Sequence, residues 1–354
     1  MKNNYELRIT DDKLRAKKIV FCLIFVCHLL FVVHHLFAAF DEFLPGARPA
    51  ALGGAFVAIA DDANTVFYNP AGLSRIKKNE ILASYGQLHP GLSDNSNISN
   101  SIISYVNSFG KYGVAGLGIY SLSVSGLYSE KVISFSYGIK ATPKLGVGLT
   151  MKSLLHKYGS DDYMENAIDN YGNSLGIADP VFINGKSKSK LSSDFGIFYR
   201  YRSNYNLAFV IQNIGSPNIG LYEADMVPKV FRLGFAHTSK ASNMLVEVLS
   251  KSNDISNDTS IISGFEKYFF IKGLAHTTPA SFMMSLLGRS KKVFVFRGAM
   301  VFGSNSLRQL SLGVGHSRNN YKIDYAFVYP LVGISDTYGT HKISVAVLFN
   351  PLPL

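Results

Sequence analysis

Two stretches near the end of the chain decide the architecture: Tyr321-Lys322-Ile323-Asp324-Tyr325-Ala326-Phe327-Val328-Tyr329 and Lys342-Ile343-Ser344-Val345-Ala346-Val347-Leu348-Phe349. In the first, Tyr321, Ile323, Tyr325, Phe327 and Tyr329 share one face, and Lys322, Asp324 and Ala326 the other. In the second, Ile343, Val345, Val347 and Phe349 oppose Lys342, Ser344 and Ala346. Side chains of a strand alternate faces with period two, so both stretches read as strands with one greasy side. A face this aromatic must be hidden from water, against a protein core or against lipid.

The same pattern recurs upstream. Strands are expected over 80–87, 99–109, 112–124, 131–140, 144–156, 192–202, 205–214, 229–238, 243–251, 258–268, 293–302, 307–317, 319–329 and 340–349. Each is close to the roughly ten residues that a tilted strand needs to cross a membrane. Ile133, Phe135, Tyr137 and Ile139 oppose Ser134, Ser136, Gly138 and Lys140; Leu145, Val147 and Leu149 oppose Gly146, Gly148 and Thr150. Within 112–124 the phase is expected to change near Ser121, as a bulge allows. Connections alternate between long (88–98, 125–130, 157–191, 215–228) and short (110–111, 141–143, 203–204, 239–242), the mark of an outer-membrane barrel. Residues 269–292 are long where a short turn is due. They read as a periplasmic excursion or an uncounted strand pair, so twelve or sixteen strands stay open.

Composition agrees. The 354 residues include 31 Gly, 20 Tyr and 25 Phe, and 17% are charged, which is too apolar and aromatic for disorder. No linker is visible, so one domain is expected. The second face of the strands carries Gly, Ser and Thr more than long charged residues, which suits a partly filled lumen better than the solvated side of a sandwich. Closure would also remove the edges that so many hairpins expose. A soluble exported β protein is the competing class.

Residues 1–39 stand apart. Lys13, Arg15, Lys17 and Lys18 precede the apolar run Ile19–Phe37, and Ala38-Ala39 follow. This is the order of a secretory signal peptide, with an uncleaved anchor as the alternative. Both cysteines, Cys22 and Cys27, fall inside the run, so the mature chain is expected to have no disulfide or thiol chemistry. Without these residues the chain keeps 29 basic and 21 acidic side chains, a net charge of +8 against +11 for the whole. No basic stripe with interleaved aromatics suggests nucleic-acid binding.

Catalytic and metal-binding patterns are not found. His89, His156, His237, His276, His316 and His341 are scattered singly, without the spacing of a metal motif, and there is no G-x-S-x-G elbow. The acidic loop 157–191 lacks the spacing of a calcium loop and reads as a solvated external loop. No enzyme, cofactor or metal is expected.

Residues 46–73 do not alternate. They are Gly- and Ala-rich and full of turn residues, and such a segment can pack closely inside a narrow space. Asp61-Asp62 reads first as a turn cap; buried, the pair would need a lumen Arg or Lys beside it. Asn69-Pro70 reads as a turn with the residue before proline held extended. Three blocks carry a family resemblance. The first is Ala51-Leu52-Gly53-Gly54-Ala55 with Ala60-Asp61-Asp62-Ala63 and Asn69-Pro70-Ala71-Gly72-Leu73. The second is Phe209-Val210-Ile211-Gln212-Asn213-Ile214-Gly215. The third is Ile323-Asp324-Tyr325-Ala326-Phe327 with Thr340-His341-Lys342-Ile343-Ser344. In these the chain resembles the outer-membrane long-chain fatty-acid transporter (FadL-type) superfamily, and its PorV/PorQ branch in particular.

The resemblance implies an all-β antiparallel transmembrane barrel of about 14 strands with an N-terminal hatch in the lumen. The expected division is a signal peptide over 1–39, a hatch over 40–79 and a barrel over 80–354. The implied hatch or gating residues are Gly53, Gly54, Asp61, Asp62, Asn69, Pro70 and Ala71. The implied function is passive uptake of fatty acids or other hydrophobic molecules across the outer membrane. The alternative is a docking or shuttle barrel for a protein-secretion system, with exported proteins as partners.

Overall fold

The alternating runs form strands that pair in sequence order: β1 (Asn79–Leu88), β2 (Ile98–Ser108), β3 (Val114–Val124), β4 (Tyr128–Lys140), β5 (Leu145–Tyr158), β6 (Asn166–Ile168), β7 (Ser174–Ala178), β8 (Ser187–Arg202), β9 (Tyr205–Ile214), β10 (Lys229–Thr238), β11 (Ser242–Ser252), β12 (Asn257–Ile271), β13 (Lys292–Gly303), β14 (Ser306–Arg318), β15 (Tyr321–Pro330) and β16 (Thr340–Phe349). The computed structural model describes residues 40, 44–93, 96–160, 166–169, 173–252, 257–271, 292–303, 306–318, 320–332 and 337–351. Among the described residues all strands but β6 and β7 close into one antiparallel barrel of fourteen, with β1 against β16 and β5 against β8. β6 and β7 make a separate two-stranded hairpin within the loop between β5 and β8.

All fourteen expected strands are present, and the faces fall as the alternation requires. Ile323, Tyr325, Ile343, Val345 and Val347 are exposed on the outside, while Asp324, Ala326, Lys342, Ser344 and Ala346 are buried. The outer belt continues around the barrel through Ile81, Leu117, Phe135, Leu149, Leu233, Phe265 and Phe296. Such a belt is stable only in hydrocarbon, and closure satisfies every ladder hydrogen bond without water. The last strand closes the wall: Phe349 lies opposite Asn79, and its ring stacks on Tyr105 at 6.2 Å.

Two details differ from expectation, and one open alternative closes. Pairing of β3 with both neighbours runs without a register shift through Ser121, so no bulge is there. Alternation fades over Ser121–Val124 because this end of the strand has partly exposed residues on both faces. β12 pairs directly with β13, so no extra strand pair enters the barrel between them; most of the 269–292 connection lies outside the described residues. The 157–191 loop is partly regular, since β5 runs on to Tyr158 and β8 begins at Ser187. The residues of the expected signal peptide, 1–39, lie outside the described residues.

Candidate functional site

The interior of the barrel is occupied by its own N-terminal segment. From Pro45 to Ser74 almost every residue is buried, Asp61 being exposed and Phe67 half-buried. A short helix, Ala47–Ala51, lies on β15, where Ala47, Ala50 and Ala51 pack on Ala326 and Val328. A second short helix, Thr65–Tyr68, leads into the 3-10 turn Pro70–Arg75, which lies on β4, β5 and β8. Leu52, Phe56, Val57, Ile59 and Tyr68 form an apolar core with Phe198, Val210, Leu245 and Ile262 of the wall.

Around the first helix the attachment is ionic. The Arg48 guanidinium donates to Asp61 Oδ1 and Asp62 Oδ2, each at 2.7 Å, and to Glu266 Oε1 at 2.9 Å. Glu266, on β12, also accepts from Arg297 at 2.8 Å, from Asn243 at 2.8 Å and from the Tyr268 hydroxyl at 2.8 Å. Arg297 continues to Asp324 at 2.7 Å. The cation beside Asp61-Asp62 thus comes from the segment itself, whereas the lumen wall supplies a carboxylate. Asp62 is also the turn cap anticipated from its type: its Oδ1 accepts from the backbone N–H and the side-chain amide of Asn64, both at 2.9 Å. Burial alone would raise the Asp62 carboxyl, but Arg48 and Lys322 hold it below the usual range. For Arg48 burial works downward, and the carboxylates of Glu266, Asp61 and Asp62 overcome it, so the guanidinium stays charged.

A second buried charge pair holds the segment near Phe56. Glu247 accepts from Arg232 at 2.7 Å and from the backbone N–H groups of Phe56 and Val57 at 2.9 and 3.2 Å. The wall also reaches the segment through Ser344 to Ala47 N, Lys342 to the Leu44 carbonyl and Gln212 to the Phe67 carbonyl. These bonds satisfy backbone groups that an irregular segment would otherwise bury unpaired.

Around Asn69-Pro70-Ala71 the attachment is one of shape. Gly138, Gly148 and Gly196 lie directly opposite one another across β4, β5 and β8, forming a row on the lumen side. A Cβ at Gly148 would strike the Pro70 carbonyl and Ala71 N, one at Gly138 the Pro70 carbonyl oxygen, and one at Gly196 the Asn69 side chain. Asn69 is extended at φ −153°, as a residue before proline should be. Its Oδ1 accepts from Ala71 N at 3.0 Å, and its amide donates to the Val57 carbonyl at 2.9 Å. Gly53 and Gly54 both have positive φ, 62° and 93°, and a Cβ at Gly53 would come within 2.9 Å of Val301 Cγ2.

The segment stands between two cavities. Toward the long loops is a cavity of about 510 Å³, whose floor includes Gly53, Gly54, Val66, Phe67 and Tyr68 and whose wall includes Tyr120, Leu154, Leu249 and Ile262. Charges on that wall are largely paired: Lys152 with Asp194 at 2.6 Å, Arg232 with Glu247, and Arg308 with Asp258 at 2.7 Å. Toward the short turns is a cavity of about 450 Å³ bounded by Asp61, Ser74, Arg75 and Ile76 on the segment and by Lys140, Lys144, Arg200 and Lys322 on the wall.

The expected site residues therefore separate into three groups. Asp61 and Asp62 join the Arg48 cluster, and Asn69, Pro70 and Ala71 join the glycine row. Gly53 and Gly54 sit on the floor of the larger cavity. Sequence reasoning missed Arg48, Glu266, Arg297, Glu247 and the glycine row. The signal for the last was present, as glycines on the inward phase of strands, but only the register aligns them. The histidines stand singly against rings: His237 on Tyr205 and His316 on Phe294 at the short-turn end, and His341 on Phe327 at the long-loop end. In the acidic loop, Asp169 binds Asn173 and Asp179 caps Val181 N, while Asp161, Asp162 and Glu165 lie outside the described residues. Among the described residues no group of His, Cys, Asp and Glu is placed to hold a metal ion.

No protein-family model matches this sequence. No curated protein matches it either. Solved structures of the same fold do match. The toluene transporter TbuX of Ralstonia pickettii superposes with a TM-score of 0.55 at 13% identity, covering 89% of this chain and 100% of that one. The toluene transporter TodX of P. putida gives 0.54 at 12% identity, over 87% and 99%. A FadL homologue of Pseudomonas aeruginosa gives 0.53 at 10% identity, over 88% and 100%. At these identities the likeness is one of fold: a FadL-like barrel of fourteen strands.

Proposed function

We propose that this protein is an outer-membrane channel for passive uptake of hydrophobic small molecules, with its N-terminal segment as the gate. The observation that carries the reading is the cavity on the long-loop side, about 510 Å³, lined by Val66, Phe67, Tyr68, Leu154, Leu249 and Ile262 and floored by the segment. Apolar molecules partition into such a space without energy coupling. Fatty acids and monoaromatic hydrocarbons are the ligand classes, in line with the toluene transporters and FadL homologue that share the fold. In this reading Asp61 and Asp62 form a latch with Arg48, Asn69-Pro70-Ala71 is the hinge, and Gly53-Gly54 lets the floor lie close to the wall. Export through a cleaved leader over 1–39, a hatch over 40–79 and a barrel from 80 onward complete it.

Calorimetric titration of the purified protein with oleate and with toluene tests the reading, using Leu154→Trp to fill the cavity. Saturable binding that the variant abolishes supports uptake. Absence of binding to either ligand overturns it. A PorV/PorQ-type docking barrel is the alternative that the resemblance of the three sequence blocks implies; exported proteins trapped in the periplasm of cells lacking the gene would favour it.

A further inference from the structure

The cavity at the short-turn end differs in charge from everything else in the lumen. Lys77 and Lys78 reach it from the run into β1, Lys140 and Lys144 from either side of the β4–β5 turn, Arg200 from β8, and Arg75 from the segment. Two further charged groups on its wall neutralise each other, Lys322 with Glu80 at 3.0 Å. The remaining carboxylate, Asp61, is already bound by Arg48 at 2.7 Å. Among the described residues Lys77, Lys78, Lys140, Lys144 and Arg200 make no ion pair, and Arg75 reaches only Asp61, at 3.7 Å. These exposed rim cations surround one concave space rather than spreading over a surface, so their potentials add inside it.

Arg75 makes the space a built site. Its guanidinium lies over the Phe198 ring at 4.6 Å, and one Nη donates to the Ala60 carbonyl at 3.3 Å. The side chain is 15% exposed, so the group is held in place from behind while still bordering the cavity. A planar guanidinium fixed in this way presents paired donors to phosphate or carboxylate oxygens.

We propose that the short-turn vestibule is an anion-binding site. It takes a small ligand with two or more phosphate or carboxylate charges, seated on Arg75 and surrounded by Lys77, Lys78, Lys140, Lys144 and Arg200. The site rests on charge and stands independently of the apolar cavity and of what enters there. Its phosphate chemistry has two sources, a free solute or a lipid headgroup at the rim.

The test is fluorescence anisotropy of a trisulfonated pyrene dye with the whole protein in non-ionic detergent, at low and at high salt. Saturable binding is expected, weakened about tenfold by Arg75→Gln and at least as much by Lys77→Glu/Lys78→Glu/Lys144→Glu together. Lys190→Glu, on the long-loop side, should leave it unchanged, and raised salt should weaken it. Inorganic pyrophosphate competing with the dye identifies a free anion. Competition by cardiolipin, which carries two phosphates, in nanodiscs, with none by phosphatidylcholine, identifies a headgroup. Since the three lysines are exposed, that variant keeps its fold even if Arg75→Gln does not. Dye binding that survives the triple substitution, or no competition from either source, overturns the proposal.

Discussion

The N-terminal segment is held in the barrel in two unlike ways. Around Ala47–Ala51 the hold is electrostatic: Arg48 bridges Asp61 and Asp62 of the segment to Glu266 of the wall. Around Asn69-Pro70-Ala71 it is steric, a turn pressed on the row Gly138, Gly148 and Gly196. A buried charge cluster is strong only while complete, because removing one member leaves its partners desolvated and unpaired. A close-packed turn responds to volume and is indifferent to pH and salt. The same segment therefore has one end that charge can release and another that only size can dislodge.

Removing both holds at once gives the largest effect. Deletion of residues 46–73 is expected to leave an inserted, heat-modifiable barrel with a large stepwise rise in planar-bilayer conductance; unchanged conductance would mean that the segment does not obstruct the lumen. Breaking the charged hold alone comes next. Glu266→Gln leaves Arg48 and Arg297 short of a buried carboxylate, a loss of about 3–5 kcal/mol, read as a lowered melting temperature and faster proteolysis of the segment. Equal protection of mutant and wild-type would show that Asp61 and Asp62 suffice to hold Arg48. A steric challenge ranks third. Gly148→Ala sets a Cβ against the Pro70 carbonyl and should cost about 1–3 kcal/mol, with more frequent channel openings at every salt concentration. An effect that varies with salt would place the turn under electrostatic control instead.

The smallest effect is that of acid. The folded Asp62 carboxyl lies below its ordinary value, because Arg48 and Lys322 outweigh the burial that would raise it. Its contribution is therefore fully present above the unfolded value, about pH 3.9, and is lost as pH falls through the folded one. The part of the opening frequency that Asp62 controls, read as the difference between wild-type and Asp62→Asn, should be constant from neutrality to about pH 4 and fade only below that. A transition near neutrality would assign the sensitivity to another group.

Legibility followed range along the chain. Strands such as β15 and β16 were readable because a period of two needs only neighbouring residues, and lipid on one side makes the contrast strong. Loop lengths added the closure and the orientation of the two ends. The absent bulge at Ser121 was misread because alternation fades for two reasons, a change in register and the end of the buried surface, and a single strand does not distinguish them. Asp61-Asp62 was recognised as needing a cation, yet its source, Arg48, lies within the same small-residue segment and carries no local sign of folding back.

The sequence by itself determined that the chain is a succession of strands with one greasy face and that residues 46–73 are of another kind, since both follow from periodicity and side-chain size. Only the tertiary structure decided what meets what inside. It brought Gly138, Gly148 and Gly196 into line beneath Pro70, joined Arg48 to Glu266 across 218 positions, and gathered Lys77, Lys78, Lys140, Lys144 and Arg200 at one mouth with no ion pair among the described residues. Strand register and the path of an irregular segment are set by many weak contacts acting together. Their outcome is therefore written in no short stretch of the chain.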